Sequence, residues 1–407
     1  AVGYNISNEK FWQPIKPVIS NLKIRGSWGL VGNDATNAGR FAYMEDLVLG
    51  GSDSYTTGIR QDTYYSGPSW NRYFNPDLTW EVGEKINLGL DLQLFNDFNL
   101  TFDIFREKRR DIFMTRENSI PEIVGTGETK ITSNNGEMEN KGLDLAIDYN
   151  KQITKDFFLS FKSTLTFARN KVLKMDEPPY FEYPGLSDVG HPLGTYWGYV
   201  ADGLFPDQET IDNSPRQDLG YTPQPGDIKY VNQPNAKGEY DNVINSNDRV
   251  AIGHPYDPEL VYGFGPSMKW KNWDFSFFFQ GVARTSFMMY GMHPFGTTSI
   301  KNMLQFVADD HWSVDNPNPN AAYPRLTKDS NGNNDQYSTY WLRNAAFLKL
   351  KNAEIGYTYK GMRFYLSGVN LLTFSPFKHW DPEMGGGNGL YYPTQRVFNI
   401  GFQMTIQ

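Results

Sequence analysis

Cysteine is absent from the 407 residues, which excludes a disulfide scaffold, a thiolate metal site and a cysteine nucleophile. No run of 18 or more apolar residues occurs, and mean hydropathy is −0.56, so no membrane-spanning helix is encoded. Basic charge is in deficit: 38 Lys and Arg against 46 Asp and Glu leave a formal charge of −8, whereas a nucleic-acid binder carries a basic footprint. The start, Ala1-Val2-Gly3-Tyr4-Asn5, has neither the basic nor the apolar stretch of a signal peptide, as expected of a processed chain or of one entered partway through a larger protein. Aromatic residues, in contrast, are abundant. At 15% they exclude a disordered chain, which is poor in them.

The dominant pattern is alternation with period two. In 85–95, Ile86, Leu88, Leu90, Leu92 and Leu94 share one face, and Lys85, Asn87, Gly89, Asp91 and Gln93 share the other. After Asn96-Asp97 the alternation restarts with Phe98, Leu100, Phe102 and Ile104 against Asn99, Thr101 and Asp103, so a hairpin is expected. The pattern recurs at Leu22–Trp28, Leu143–Tyr149, Phe157–Phe167, Leu260–Trp270, Trp273–Phe279, Leu348–Tyr357, Phe364–Leu366 and Phe398–Ile406, with a weaker strand around 4–12. A change of phase between Leu350 and Ala353 predicts a bulge near Asn352. The total is about eleven strands.

Connections alternate too. Short links fall at about 14–21, 96–97, 150–156, 271–272 and 359–362. Long ones fall at about 31–83, 107–137, 170–258, 283–345 and 371–395. Loops beyond about 12–15 residues are uncommon in compact domains, but a transmembrane up-and-down β-barrel expects tight turns at one rim and long loops at the other. Trp270 and Trp273, Tyr149 and Phe157, and Trp12 lie beside short links, where an interfacial aromatic girdle belongs. The fold class expected is therefore all-β, an antiparallel barrel wall. A soluble β-sandwich or lipocalin-like barrel, which alternates because one face packs a core, is the competing architecture.

The sequence resembles the C-terminal half of a SusC/RagA-type TonB-dependent transporter from the outer membrane of Bacteroidota. The resemblance spans nearly the whole chain. It rests on ordered blocks such as Ile19-Ser20-Asn21-Leu22-Lys23-Ile24-Arg25-Gly26, Asn75-Pro76-Asp77-Leu78-Thr79-Trp80-Glu81, Asn140-Lys141-Gly142-Leu143-Asp144-Leu145, Gly198-Tyr199-Val200-Ala201-Asp202-Gly203, Pro225-Gly226-Asp227-Ile228 and Ser367-Gly368-Val369-Asn370-Leu371. It implies a 22-strand barrel, of which residues 1–407 supply about 11 strands. The plug domain, the TonB-contacting segment, the signal peptide and the first half of the barrel are expected outside this chain. An odd strand count cannot close the usual even-numbered bacterial barrel. The implied activity is TonB-dependent import of a bulky nutrient, an oligosaccharide or oligopeptide, with a SusD-like surface lipoprotein as lid, the TonB complex as motor and outer-membrane lipid around the wall. A passive barrel or adhesin that binds through its loops is the alternative, and a secreted glycan-binding β-sandwich a further one.

No catalysis is expected. His191, His254, His293, His311 and His379 lie in loops without a catalytic or metal-binding spacing. Gly125-Thr126-Gly127 and Gly385-Gly386-Gly387 lack the strand-to-helix context of phosphate binding and read as flexible loop tips. Lumen-lining positions are Lys85, Asp91, Asp103, Asp144, Asp148 and Lys162. Loop aromatics suited to sugar rings, peptide side chains or a partner are Tyr64, Tyr65, Trp70, Tyr73, Tyr180, Tyr183, Trp380, Tyr391 and Tyr392; packing of the loops on one another is the plainer role for any one of them. In 227–248, where the resemblance suggests a hard-cation stretch, the spacing departs from the pattern. Ca²⁺ or Mg²⁺ held by Asp227, Asp241 and Asp248 is one reading, and a run of Asx-turns the other. Ile300, Met303, Leu304 and Val307 predict a short helix within 299–311.

Overall fold

The computed structural model describes all residues except 36–39, 51–53, 117, 119, 121, 122, 124–130, 292–302, 328, 329, 406 and 407. Gly125-Thr126-Gly127, His293, Ile300 and Ile406 thus lie outside the described residues. One antiparallel sheet of eleven strands dominates: β1 (Val2–Asn5), β2 (Ile19–Asn33), β3 (Glu81–Leu94), β4 (Phe98–Thr115), β5 (Thr132–Thr154), β6 (Phe157–Lys174), β7 (Leu260–Trp270), β8 (Trp273–Ala283), β9 (Phe347–Tyr359), β10 (Met362–Phe374) and β11 (Val397–Met404). Their spatial order is their chain order, so each strand pairs with the next.

The register follows the alternation. Leu22, Leu92, Leu100 and Ile147 stand opposite one another across four strands. The link between β9 and β10 is the two-residue turn Lys360-Gly361, with φ of 47° and 82°; positive values at both positions match the right-handed twist of the flanking strands. The expected bulge is present: Leu350 pairs Phe279 and Asn352 pairs the adjacent Phe278 of β8, leaving Lys351 as the extra residue. Two boundaries differ from expectation. The first strand shrinks to Val2–Asn5 because the chain turns into 3₁₀ segments at Ile6–Asn8 and Lys10–Trp12. Strands β4 and β5 run far past their alternating stretches, to 18 and 23 residues, through 106–111 and 132–142, where both faces are largely polar and hydrophobic period is silent.

The apolar face of the sheet is bare. Trp28, Leu88, Ile104, Phe364, Leu366 and Ile400 are exposed, the last at 88%. The buried hydrophobic core lies elsewhere, in the long connections, where Tyr199, Phe287, Met288, Val307, Trp312, Tyr323, Trp341 and Phe377 pack together. A soluble sandwich would bury one face of its sheet against another, whereas the other sheets among the described residues are two-stranded loop ribbons. The sandwich is thereby excluded. A contiguous exposed apolar surface of this kind is stable only against a non-aqueous neighbour.

Candidate functional site

The six expected wall residues share the polar face. Arg25, Gly89, Asp103 and Asp144 stand in one cross-strand row. Arg25 reaches over Gly89 to Asp103 at 2.5 Å and touches Asp91 at 3.3 Å. Glycine leaves room for this path, because a Cβ at position 89 would lie 2.5 Å from the guanidinium carbon and would push the arginine aside. Asp144 accepts a hydrogen bond from the Thr166 hydroxyl at 2.7 Å. Lys85 lies 3.5 Å from Glu107, and Lys162 3.8 Å from Asp148. A second brace repeats the device: Arg363 on β10 crosses Gly356 on β9 to pair with Asp274 on β8, and also meets Glu354 at 2.6 Å. Sequence reading passed over both arginines because each occupies an ordinary polar position of an alternating strand.

Above the wall, the loops fold on a shared core. Trp380 belongs to it: the indole packs on Phe377 and Phe287, with ring centroids 4.6 and 6.3 Å away, and donates to the Gly385 carbonyl at 2.9 Å. Its role is packing. His379 sits in the same cluster, stacked on Phe306 at 4.2 Å and bonded to the Tyr323 hydroxyl. Burial, and secondarily the Arg343 charge, hold its pKa below the ordinary value of about 6.5. The unfolded chain then binds the proton more readily, so this contribution to stability falls as pH drops through the ordinary histidine value. Acidification from pH 7.5 to 5 is expected to loosen the cluster, read as tryptophan fluorescence of the folded protein; a His379→Gln variant should lose that pH response.

The segment Gly385-Gly386-Gly387 is no free tip. Gly387 donates to the Met288 carbonyl at 2.8 Å, and a Cβ at position 386 would lie 2.4 Å from the same oxygen. The expected helix is a single turn, Gln305–Asp309, with Val307 buried and Leu304 at its N-cap.

The three carboxylates proposed for a cation do not converge into a site. Asp227 is fully buried, and its oxygens accept from Arg325, Asn331, Asn334 and the Gln224 amide at 2.7–2.9 Å. Asp248 accepts from the amides of Gln233 and Asn245, and Asp241 from that of Val243. Each is spent on donors, as Asx-turns and caps are. Among the described residues no group of three or more His, Asp or Glu could hold a metal.

Of the remaining aromatics, Tyr65 stacks on Tyr55 and Trp70 on Tyr73 within ribbons of the 34–80 loop, while Tyr64 and Tyr392 stand exposed. Tyr180 is half-buried, and so is Tyr183, where burial, then Asp241, raises the phenol pKa. Tyr391 has company that the sequence did not disclose. Its phenol bonds Tyr290, and Tyr256 and Tyr337 are near enough to raise the Tyr290 pKa further. The neighbouring Tyr196 is pushed up to about 12, by burial first and then by Tyr256, Tyr337 and Tyr290. A Cβ at Gly387 would lie 3.5 Å from the Tyr391 ring and 3.7 Å from that of Tyr290. Five tyrosines from three long connections thus gather in one place, four of them exposed.

Eleven sequential strands, a bare apolar face, a braced polar face and one-sided loops now stand together. Residues 21–371 match the TonB dependent receptor-like, beta-barrel family. The chain belongs to that family. It is 28% identical over 431 residues to the TonB-dependent receptor SusC of Bacteroides thetaiotaomicron, covering 99% of this chain and 39% of that protein. It is 28% identical over 441 residues to the TonB-dependent receptor P26 of Formosa agariphila, covering 100% of this chain and 42% of that one. Among solved structures, the RagAB peptide transporter superposes with a TM-score of 0.70, and the RagAB peptide importer in its open-open state with 0.74. Each is 21% identical, and each match covers 99% of this chain and 42% of the other, so these two show the fold. The chain spans about two fifths of the length of the curated relatives it matches. TonB-dependent receptor barrels are outer-membrane proteins, which accounts for the apolar face without a soluble core.

Proposed function

We propose that this chain forms the C-terminal half of the barrel of a TonB-dependent importer, with the polar face as lumen and the long loops outside the cell. The cargo is a bulky nutrient, an oligosaccharide or oligopeptide. It is caught between the loops and a SusD-like lipoprotein, then released inward when TonB disturbs a plug carried on another part of the polypeptide. Strands outside this chain complete the wall beside β1 and β11, and no bond of the cargo is broken.

The observation that carries this reading is the tyrosine cluster Tyr196, Tyr256, Tyr290, Tyr337 and Tyr391. Exposed phenols drawn from separate loops offer flat apolar faces and hydroxyl groups together, which suits sugar rings and peptide groups alike. The similarity to SusC and to the RagAB peptide transporter supports it at the level of family and fold.

The test uses the full-length protein and panels of oligosaccharides and oligopeptides in calorimetry. Alanine at Tyr256, Tyr290, Tyr337 or Tyr391 should each weaken binding by about 1 kcal/mol, roughly five-fold, and together by 100-fold or more. Uptake by cells should stop when TonB is deleted. Undiminished binding by the quadruple variant would remove the site, and TonB-independent uptake would favour a passive barrel.

A further inference from the structure

The apolar face changes character abruptly toward the long-loop rim. On β4, Phe98, Leu100, Phe102 and Ile104 give way at the same parity to Arg106, Lys108 and Arg110. Register sets Lys141 of β5 directly opposite Arg106, and Arg169 of β6 directly opposite Lys141, so three cations stand abreast on three strands. The next row reads Lys108, Glu139 and Lys171, and beyond it Lys174 pairs with Glu137. Glu139 bonds Arg106 at 2.5 Å and Lys141 at 2.7 Å, and Glu137 bonds Lys108 at 2.9 Å. At the margins Arg110 meets Asp111, and Arg169 meets Glu259.

Seven cations thus meet four carboxylates, Glu137, Glu139, Asp111 and Glu259, on a chain whose net charge is −8. Arg106, Lys141 and Arg169 keep more than half of their side-chain surface exposed. Like charges placed directly opposite across strands are destabilising; Glu139 is shared by two cations of the row and Glu259 meets the third, so the row keeps an excess of positive charge that a further anion would relieve. The position of the row narrows the choice of anion. The row begins one alternation step above Ile104 and Leu143, at the level where hydrocarbon gives way to headgroups. About ten tilted residues cross the apolar band, and the surplus length of β4 and β5 carries the charge. Guanidinium groups bind phosphate in bidentate fashion, and lysines add point charge.

We propose that this collar binds the phosphate groups of an outer-leaflet glycolipid, whose acyl chains lie against Ile104, Leu143 and Phe167 below it. The inference rests on the membrane orientation proposed above, with the long-loop rim outside, and uses no part of the tyrosine cluster.

The test takes the full-length protein in nanodiscs containing either phosphorylated lipid A or the same lipid after enzymatic dephosphorylation, with bound lipid counted by native mass spectrometry. Wild type should retain the phosphorylated form at least ten-fold more strongly. The triple variant Arg106→Gln/Lys141→Gln/Arg169→Gln should lose that preference. Glu137→Gln/Glu139→Gln, which removes the internal carboxylates, should strengthen it and decides the matter even where the triple variant fails to insert. Equal retention of the two lipids by wild type, an unchanged preference in the triple variant, or equal protection by millimolar inorganic phosphate alone would each overturn the proposal. Cargo uptake is read separately: lipid preference without uptake would sink the importer reading and leave the collar standing.

Discussion

Replacement of Lys349 by methionine is expected to detach the 375–396 loop from the wall. Lys349 projects from the polar face of β9 and is fully buried, its ammonium 2.6 Å from Asp381 and 2.5 Å from Glu383. Lys351, the bulged residue, adds a second contact to Glu383 at 2.7 Å. Breaking a buried pair from one side typically costs about 3–5 kcal/mol, because the abandoned charges stay where water reaches them poorly. Cleavage of the folded full-length protein within 375–396 by protease should therefore accelerate by two orders of magnitude or more. An unchanged rate would show that the lysine is dispensable. Asp381→Asn/Glu383→Gln, added to Lys349→Met, should recover part of the loss. Although burial pushes the Asp381 carboxyl up, the bonds from Lys349, Thr394 and the Glu383 amide together hold it below the ordinary carboxylate value. Its contribution is accordingly complete above about pH 4 and disappears as pH falls through the lower folded value.

Asp227→Ala should have a comparable effect on the loop core while sparing the wall. Asp227 is the acceptor around which Arg325, Asn331, Asn334 and the Gln224 amide are arranged, and Asn331, Asn333 and Asn334 are themselves fully buried. Removing it orphans four donors, one of them a guanidinium, at about 1–3 kcal/mol for each buried donor that finds no water. Calorimetry should resolve a loop transition that moves down well ahead of the barrel's own melting. A single transition shifted by less than 2 °C would mean that the network is not what holds the loops.

The two sites differ in how far the sequence disclosed them. Strand β3 announces itself because Ile86 through Leu94 alternate without a break, and even the bulge at Lys351 is written as a change of phase. The extensions of β4 and β5 are silent, since a strand that is polar on both faces has no hydrophobic period. Lys349 looks like any other lysine of the polar face, for alternation gives parity and not the loop that later folds over it. The tyrosine cluster is unreadable for another reason. Tyr196, Tyr256, Tyr290, Tyr337 and Tyr391 are scattered over almost 200 residues, in three aperiodic loops separated by strands, and meet only in three dimensions. Asp227 was singled out for the right property, a carboxylate amid amides, but those amides point their donors at it, which makes it a hub of structure and not a seat for a cation.

The two arginine braces have a mechanical consequence. A β-sheet resists being pulled apart across its strands through many hydrogen bonds at once, but a strand can shear along its neighbour when those bonds yield in turn. Arg25, passing straight over Gly89 to Asp103, and Arg363, passing diagonally over Gly356 to Asp274, each rivet three consecutive strands. To slide, the outer two strands of either triplet must move against a charged strut that spans the strand between them. A wall so riveted resists shear by side-chain charge as well as by its backbone ladder, and the spacing of its strands is held at two separate places.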